Sequence, residues 1–273
     1  MFHPGAPKTS VGGFAKTAEL IFHIAIRDIR KTHGNAIMGL ALSIIQSVTM
    51  VLFFWLMFTL LGMRSTAVRG DFLLYSMSGI FMYMTHIKAI KAVAMAEGPT
   101  NAMMKHAPMN TIVTIGGQAL AALYQQVLAI AVILFFYHTC FREITIDEPV
   151  PAMGMILLAW FSGLCIGMIF KAATPWAPNF FQVANSVYTR INVIASGKMF
   201  LANATPTWLL SWFWWNPLFH IIDQQRGFVF LNYNPHYSSI SYPIWVSCAL
   251  LVLGFMGDSF TRKHASLSWV AGK

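Results

Sequence analysis

Six polar side chains, Gln182, Asn185, Ser186, Thr189, Asn192 and Ser196, follow one another mostly at steps of three and four within an otherwise apolar stretch. On a helix that spacing gathers them into one stripe. Arg190 sits at the edge of the stripe and Lys198 near its end. Amides and hydroxyls in a row, with two cations, can exchange hydrogen bonds with a hydroxyl-rich or anionic cargo. A charge at membrane depth costs several kcal/mol or more unless it meets water or a partner. Two readings of the stripe stand side by side: a helix that lines a hydrated path, or interhelical hydrogen bonding inside a bundle. Lesser stripes occur at Ser43, Gln46 and Ser47, and at Gln118 and Gln125, where helix-to-helix bonding is the simpler account. Gly117 and Ala121 form a small-xxx-small pair suited to close helix packing.

The motifs of an enzyme are missing. The chain contains no HExxH, GxSxG or P-loop pattern, and its 9 His stand at no metal-ligand spacing. No Asp or Glu falls near the middle of a predicted span, which argues against proton- or sodium-coupled transport. Three Cys (140, 165 and 248) form no CxxC and no even-numbered framework.

The elements that hold these residues follow from composition. Of 273 residues, 57% are hydrophobic and only 10% charged, whereas soluble domains carry about 25% charged residues. Mean hydropathy is +0.60. So few charges cannot cover a water-facing surface of this size, and the chain reads as an all-α, polytopic membrane protein. Residues 1–12 hold no apolar core, so the first long apolar run is expected to act as the membrane-entry signal. Runs near 20 residues predict six spans, at 36–62, 72–95, 111–138, 152–170, 180–203 and 243–260. The whole chain, 1–273, reads as one membrane domain.

Charge sets the sidedness. The net charge is +9, from 18 Lys and Arg against 9 Asp and Glu. With the N-terminus inside, 12 of the 18 basic residues fall in cytoplasmic segments and four, Arg64, Arg69, Arg142 and Arg226, fall outside. The surplus thus follows the positive-inside rule and needs no nucleic acid to explain it. Both termini are expected in the cytoplasm.

Three segments lie outside the spans. Over 14–33, Phe14, Ala18, Ile21, Ala25 and Ile29 recur at helical spacing, and Lys16, Glu19, His23, Arg27 and Arg30 take the other face. This predicts an interfacial amphipathic helix, serving either as an anchor or as a contact for a cytoplasmic partner. Residues 96–110 form the one sizeable cytoplasmic loop, in which Pro99 and Pro108 bracket a short helical stretch from Asn101 to His106 that includes Lys105. The outer segment 204–242 holds Trp208, Trp212, Trp214 and Trp215 among Pro206, Pro217 and Pro235. It reads as an aromatic belt or as short re-entrant helices dipping into the outer leaflet.

The layout, together with Ser196-Gly197-Lys198-Met199-Phe200, Pro206, Trp215-Asn216-Pro217-Leu218, His220, Asp223 and Arg226, resembles the type 2 permeases of ATP-binding-cassette exporters. The branch it looks most like exports capsular or other cell-surface polysaccharide. In that family a small-Gly-aromatic stretch ends span five, and an Asn-Pro pair, an acidic residue and an Arg follow re-entrant helices. Asn101 and Pro108 also resemble the family's loop after span two. One departure lies at the start of span one, where Gly34 and Gly39 stand without the usual Trp and Pro.

The resemblance implies a half-transporter in the bacterial inner membrane: a homodimer bound to two copies of a cytoplasmic ATPase, with ATP and magnesium held on that partner and no cofactor in this chain. The chain's lack of a G-x-x-x-x-G-K-[ST] motif agrees with this. It implies transport-path roles for Gln182, Asn185, Ser186, Thr189, Arg190, Ser196 and Lys198. Outer-gate roles would fall to Trp208, Trp212, Trp214, Trp215, Asn216, Pro217 and Arg226, and coupling to the ATPase to Asn101, Lys105, His106, Arg27 and Arg30. Periplasmic or outer-membrane export proteins are further candidate partners. Two alternatives remain at this level: a permease for O-antigen, lipid or a drug-like compound, and a membrane enzyme acting on a lipid-linked substrate.

Overall fold

The computed structural model describes residues 10–31, 36–60, 72–96 and 111–264. Among these residues all regular structure is helical. The helices are α1 (Ser10–Lys31), α2 (Ala36–Leu60), α3 (Phe72–Ala94), α4 (Thr111–Cys140), α5 (Pro149–Ala173), α6 (Pro178–Ala195), α7 (Thr207–Phe213), α8 (Pro217–Val229) and α9 (Ser241–His264), with a 3-10 turn at Ala202–Ala204.

Four of them, α2, α4, α5 and α9, are long and apolar enough to cross a membrane. The fold is that of an all-α membrane protein, but six spans are not what it shows. The two predicted spans that fall short do so for different reasons. α3 has the length, at 23 residues, yet carries Ser76, Ser78, Thr85, His86, Lys88 and Lys91. It can do so because protein rather than lipid surrounds it: Ile80 and Met82 are 1% exposed and His86 is fully buried. α6 has 18 residues, about 27 Å at 1.5 Å per residue, and Asn179, Gln182, Asn185, Arg190 and Asn192 lower its hydropathy below that of the four spanning helices. It stops at Ala195 rather than 203 because Gly197 turns the chain with φ +70°. That left-handed conformation suits glycine and ends helices.

α3 is the hub, packing against α5, α4, α8 and α2. Its Phe81 and Met82 meet Phe54 of α2, Ile133 of α4, Ile156 of α5 and Ile221 of α8 in the main apolar core. Gly163 and Gly167 of α5 lie against the His86 and Ile90 carbonyls of α3. Small residues at that seam let the two backbones approach closely. His86 then bonds across three helices: its Nδ1 meets Ser162 Oγ (2.9 Å) on α5 and its Nε2 meets Tyr188 Oη (3.0 Å) on α6.

α1 packs along the start of α4. The faces of Gly116 and Gly117 receive Ile21 and Ile24, and Ile24 and Ala25 are buried there. The Gly117 site thus makes a close helix contact, and its partner is the amphipathic helix. At the opposite end of the bundle from the α4–α5 connection, Trp176 Nε1 donates to Thr261 Oγ1 (2.9 Å), which donates to the Ala172 carbonyl (2.8 Å). Lys171 Nζ donates to the Ala96 carbonyl (2.8 Å). These bonds close the ends of α3, α5 and α9 together.

Candidate functional site

α6 is the least enclosed long helix of the bundle. Asn192 is its one buried residue. Gln182, Ser186 and Arg190, at steps of four, make an exposed polar row. Beside it runs an exposed apolar row of Val183, Val187, Ile191 and Ile194. The predicted stripe is therefore divided by the helix. Asn185 and Thr189 are half-buried, and the Asn185 Oδ1 has no hydrogen-bond partner. Ser186 Oγ donates to the Gln182 carbonyl (3.0 Å) and Thr189 Oγ1 to the Asn185 carbonyl (2.9 Å). Such bonds satisfy the hydroxyls locally and leave the amide of Gln182 and the guanidinium of Arg190 as the groups presented outward.

Ser196 and Lys198 lie off this face. Both are buried past the end of α6. Lys198 Nζ sits 3.6 Å from the centroid of the Tyr83 ring and 4.7 Å from that of Phe54, without a hydrogen-bond partner. The two ring faces supply the negative potential that a buried ammonium requires. Lys198 thus faces the α2–α3 seam, away from Gln182 and Arg190.

The turn after α6 is held by a clasp from α8. Arg226 is 1% exposed. Its Nη1 donates to the carbonyls of Gly197 (3.0 Å) and Phe200 (2.7 Å), and its Nη2 to that of Lys198 (2.5 Å). The guanidinium carbon lies 4.2 Å from the centroid of the Tyr75 ring. The planar, many-donor head of arginine suits three carbonyls of one turn in a way that a lysine cannot match. The backbone of α3 passes close by at Gly79, where a Cβ would stand 2.9 Å from Arg226 Nη2.

Asp223, one turn earlier on α8, accepts from Tyr233 Oη and from Ser238 Oγ (2.6 Å). Burial and the Asp223 carboxylate push the Tyr233 phenol well above its usual range, so it stays a donor. His220 accepts the Ser239 amide at Nδ1 (3.2 Å). That leaves Nε2 as the protonated nitrogen, donating to the Trp214 carbonyl (2.8 Å).

Asn216 and Pro217 start α8. The Asn216 Oδ1 caps the helix by accepting from the Leu218 amide (3.0 Å), and Pro217 takes the first helical position. The Asn216 Nδ2 reaches back to Asn192 Oδ1 (2.8 Å) and to the Ala195 carbonyl (3.0 Å). The Asn-Pro pair therefore fastens α8 to the end of α6. Trp208, Trp212, Trp214 and Trp215 are all exposed, and Trp214 stacks on Tyr242 of α9 at 5.5 Å.

Gly197 is the pivot of this arrangement. A Cβ there would stand 2.5 Å from Phe219 Cδ2, and the positive φ already disfavours any other residue. Gly197→Ala should cost about 2 kcal/mol or more and lower the thermal midpoint of the purified chain. Gly154→Ala, with open space around its Cβ position, serves as the control and should leave the midpoint within the small range of a surface substitution.

Of the residues expected to couple to an ATPase, Arg27 is half-buried on α1. Arg30 belongs to the same helix, with its side chain outside the described residues. Asn101, Lys105 and His106 also lie outside the described residues. Among the described residues no cluster of His, Cys, Asp or Glu is placed to hold a metal ion. The His86–Ser162–Tyr188 link and the Lys198 cage were not foreseen from sequence. Their partners are about 70 to 145 positions apart, and no local pattern joins them.

Compared with known proteins, the chain matches no family model and no curated protein.

Proposed function

We propose that the chain is the membrane permease subunit of an ATP-driven exporter. It works as a homodimer with two copies of a separate cytoplasmic ATPase and moves a capsular or other cell-surface polysaccharide across the bacterial inner membrane. The observation that carries this reading is the exposed face of α6. In hydrocarbon, an unaccompanied Arg190 costs about 2.5–3.5 kcal/mol even on the lenient insertion scale. Val183, Val187, Ile191 and Ile194 beside it offer an apolar seam for a second copy. Two such faces brought together give the arginine a hydrated, protein-lined space and leave the apolar row to seal its edge.

The chemistry of that space suits sugar. Gln182 both donates and accepts, and so can exchange hydrogen bonds with hydroxyls in either sense. Arg190 can pair with the carboxylate or phosphate of an acidic glycan. The exposed Trp208, Trp212 and Trp215 offer flat rings to the apolar faces of pyranoses at the outer end.

Movement comes from the other side of the membrane. ATP binding draws the ATPases together and pushes on the 96–110 loop and on α1, which sits against the start of α4. The push changes the relative stability of two packings of the bundle, because the partner makes different contacts in each. α6 moves with α8 through Asn216 and Arg226, so the path and the outer helices respond as one unit.

The direct test is purification of the chain with its proposed ATPase partner, followed by co-elution and ATP turnover. Wild type should co-elute and stimulate turnover, and Lys105→Glu should weaken co-elution at least about fivefold, the scale of one lost charge-assisted contact. Absence of any associating ATPase would sink the exporter reading. Unchanged co-elution of Lys105→Glu would remove the loop from the interface.

A further inference from the structure

A cavity of about 270 Å³ opens between α3, α4, α5 and α8, with no residue of α6 in its lining. Its walls are apolar: Met77, Phe81 and Met82 of α3, Val127 and Ile130 of α4, and Ile156 of α5. From Leu74 to Met82 the α3 wall runs nine residues, about 12 Å along the helix. The exposed Ala131, Ile146 and Met153 stand at its mouth, so the cavity opens on the lipid-facing surface.

Two polar residues, Ser78 and Gln225, break this lining, and Ser78 donates its hydroxyl to the Tyr75 carbonyl (2.8 Å). Gln225 is 5% exposed, lines the cavity, and its Oε1 has no hydrogen-bond partner. A buried amide oxygen without a donor costs about 1–3 kcal/mol, so the site wants an N–H or O–H from outside the chain. Acidic side chains lie beside the same end. The Glu148 amide donates to the Phe228 carbonyl (2.9 Å), which pins the 146–149 segment to the last turn of α8. Asp147 and Glu148 are exposed there, between the cavity residues Ile146 and Pro149.

We propose that this cavity is a site for a resident phosphatidylethanolamine, with the first part of one acyl chain between α3, α4 and α5 and the ammonium headgroup at the Gln225 and Asp147–Glu148 end. Three observations select this lipid. The apolar walls fit a hydrocarbon chain. The unpartnered Gln225 oxygen calls for a donor, which an ethanolamine ammonium has and a choline headgroup lacks. The two carboxylates favour a cationic headgroup and oppose an anionic lipid. The site is separate from the α6 face and independent of the transport reading.

The test uses the full-length chain without any ATPase, so its outcome stands apart from that of the exporter assay. The purified protein is incubated with equal amounts of palmitoyl-oleoyl phosphatidylethanolamine, phosphatidylcholine and phosphatidylglycerol, and bound lipid is read by native mass spectrometry. Wild type should retain one phosphatidylethanolamine per chain, at least about fivefold over each of the others, the ratio expected of one added hydrogen bond. Gln225→Met should erase the preference while keeping some lipid bound. Ala131→Trp, which plugs the mouth, should lose the lipid altogether, with elution profile and helical content as controls for folding. Equal retention of the three lipids by wild type would overturn the proposal. So would undiminished phosphatidylethanolamine on both variants.

Discussion

Arg226→Ala should cost the fold about 3–5 kcal/mol, the range for removing one side of a buried charged hydrogen-bond network. The arginine holds three carbonyls of the turn at 197–200: without it the Lys198 and Phe200 carbonyls lose the guanidinium donor, and Gly197 keeps just the Phe200 amide (3.3 Å). The face of Tyr75 would lose its cation as well. Arg226→Lys should recover little of the loss, because one ammonium cannot reach all three oxygens in the geometry of a planar fork. The readout is the thermal midpoint of the full chain in detergent, with a drop on the order of 10 °C expected for Arg226→Ala. A midpoint within a degree or two of wild type, with equal monodisperse yield, would show that the clasp is dispensable.

That result would also assign Arg226 its place. In sequence it stands beside the Asn-Pro pair and the tryptophans, and reads as part of an outer gate. In the structure the tryptophans are exposed while Arg226 is buried among backbone carbonyls, so the motif splits into a surface part and a fastening part. Asn216 and Pro217 belong to the fastening part, as cap and first residue of α8. Composition and period were enough to expect helices, the amphipathic α1 and the short helices of the outer segment. They reach less far where burial decides. The sequence reads 72–95 as a span, but Ser76, Thr85, His86 and Lys88 lower the hydropathy of α3 below that of the four spanning helices, and its neighbours bury much of it. Lys198 shows the same limit. Eight positions after Arg190, it reads as a second charge on one stripe, but Gly197 turns the chain and sends the ammonium to Tyr83 and Phe54. A helical period holds only as far as the helix does, and one glycine with positive φ ends it.

The α6 face is where sequence and geometry meet most closely, and there the largest functional effect is expected. On the proposed export function, Arg190→Ala should abolish surface display of the polysaccharide while leaving expression, membrane insertion and thermal midpoint near wild type. The separation follows from exposure. Arg190 is exposed, so removing it opens no cavity and orphans no buried acceptor. Losing a charged hydrogen bond to cargo is worth about 1.5–3 kcal/mol per contact, and a glycan that passes many repeat units meets the same residue at every step. Asn185→Leu makes a complementary probe, because Asn185 is half-buried on the inner side of the helix with an unpartnered oxygen. If the path reaches that side, transport falls; if the path is confined to the exposed row, Asn185→Leu transports normally and gains stability from the removed amide. Surface glycan is measured by antibody or lectin on intact cells, against total membrane-inserted protein. Normal display by Arg190→Ala would refute the assignment of α6 to the path, and would return its polar row to the role of contact between helices.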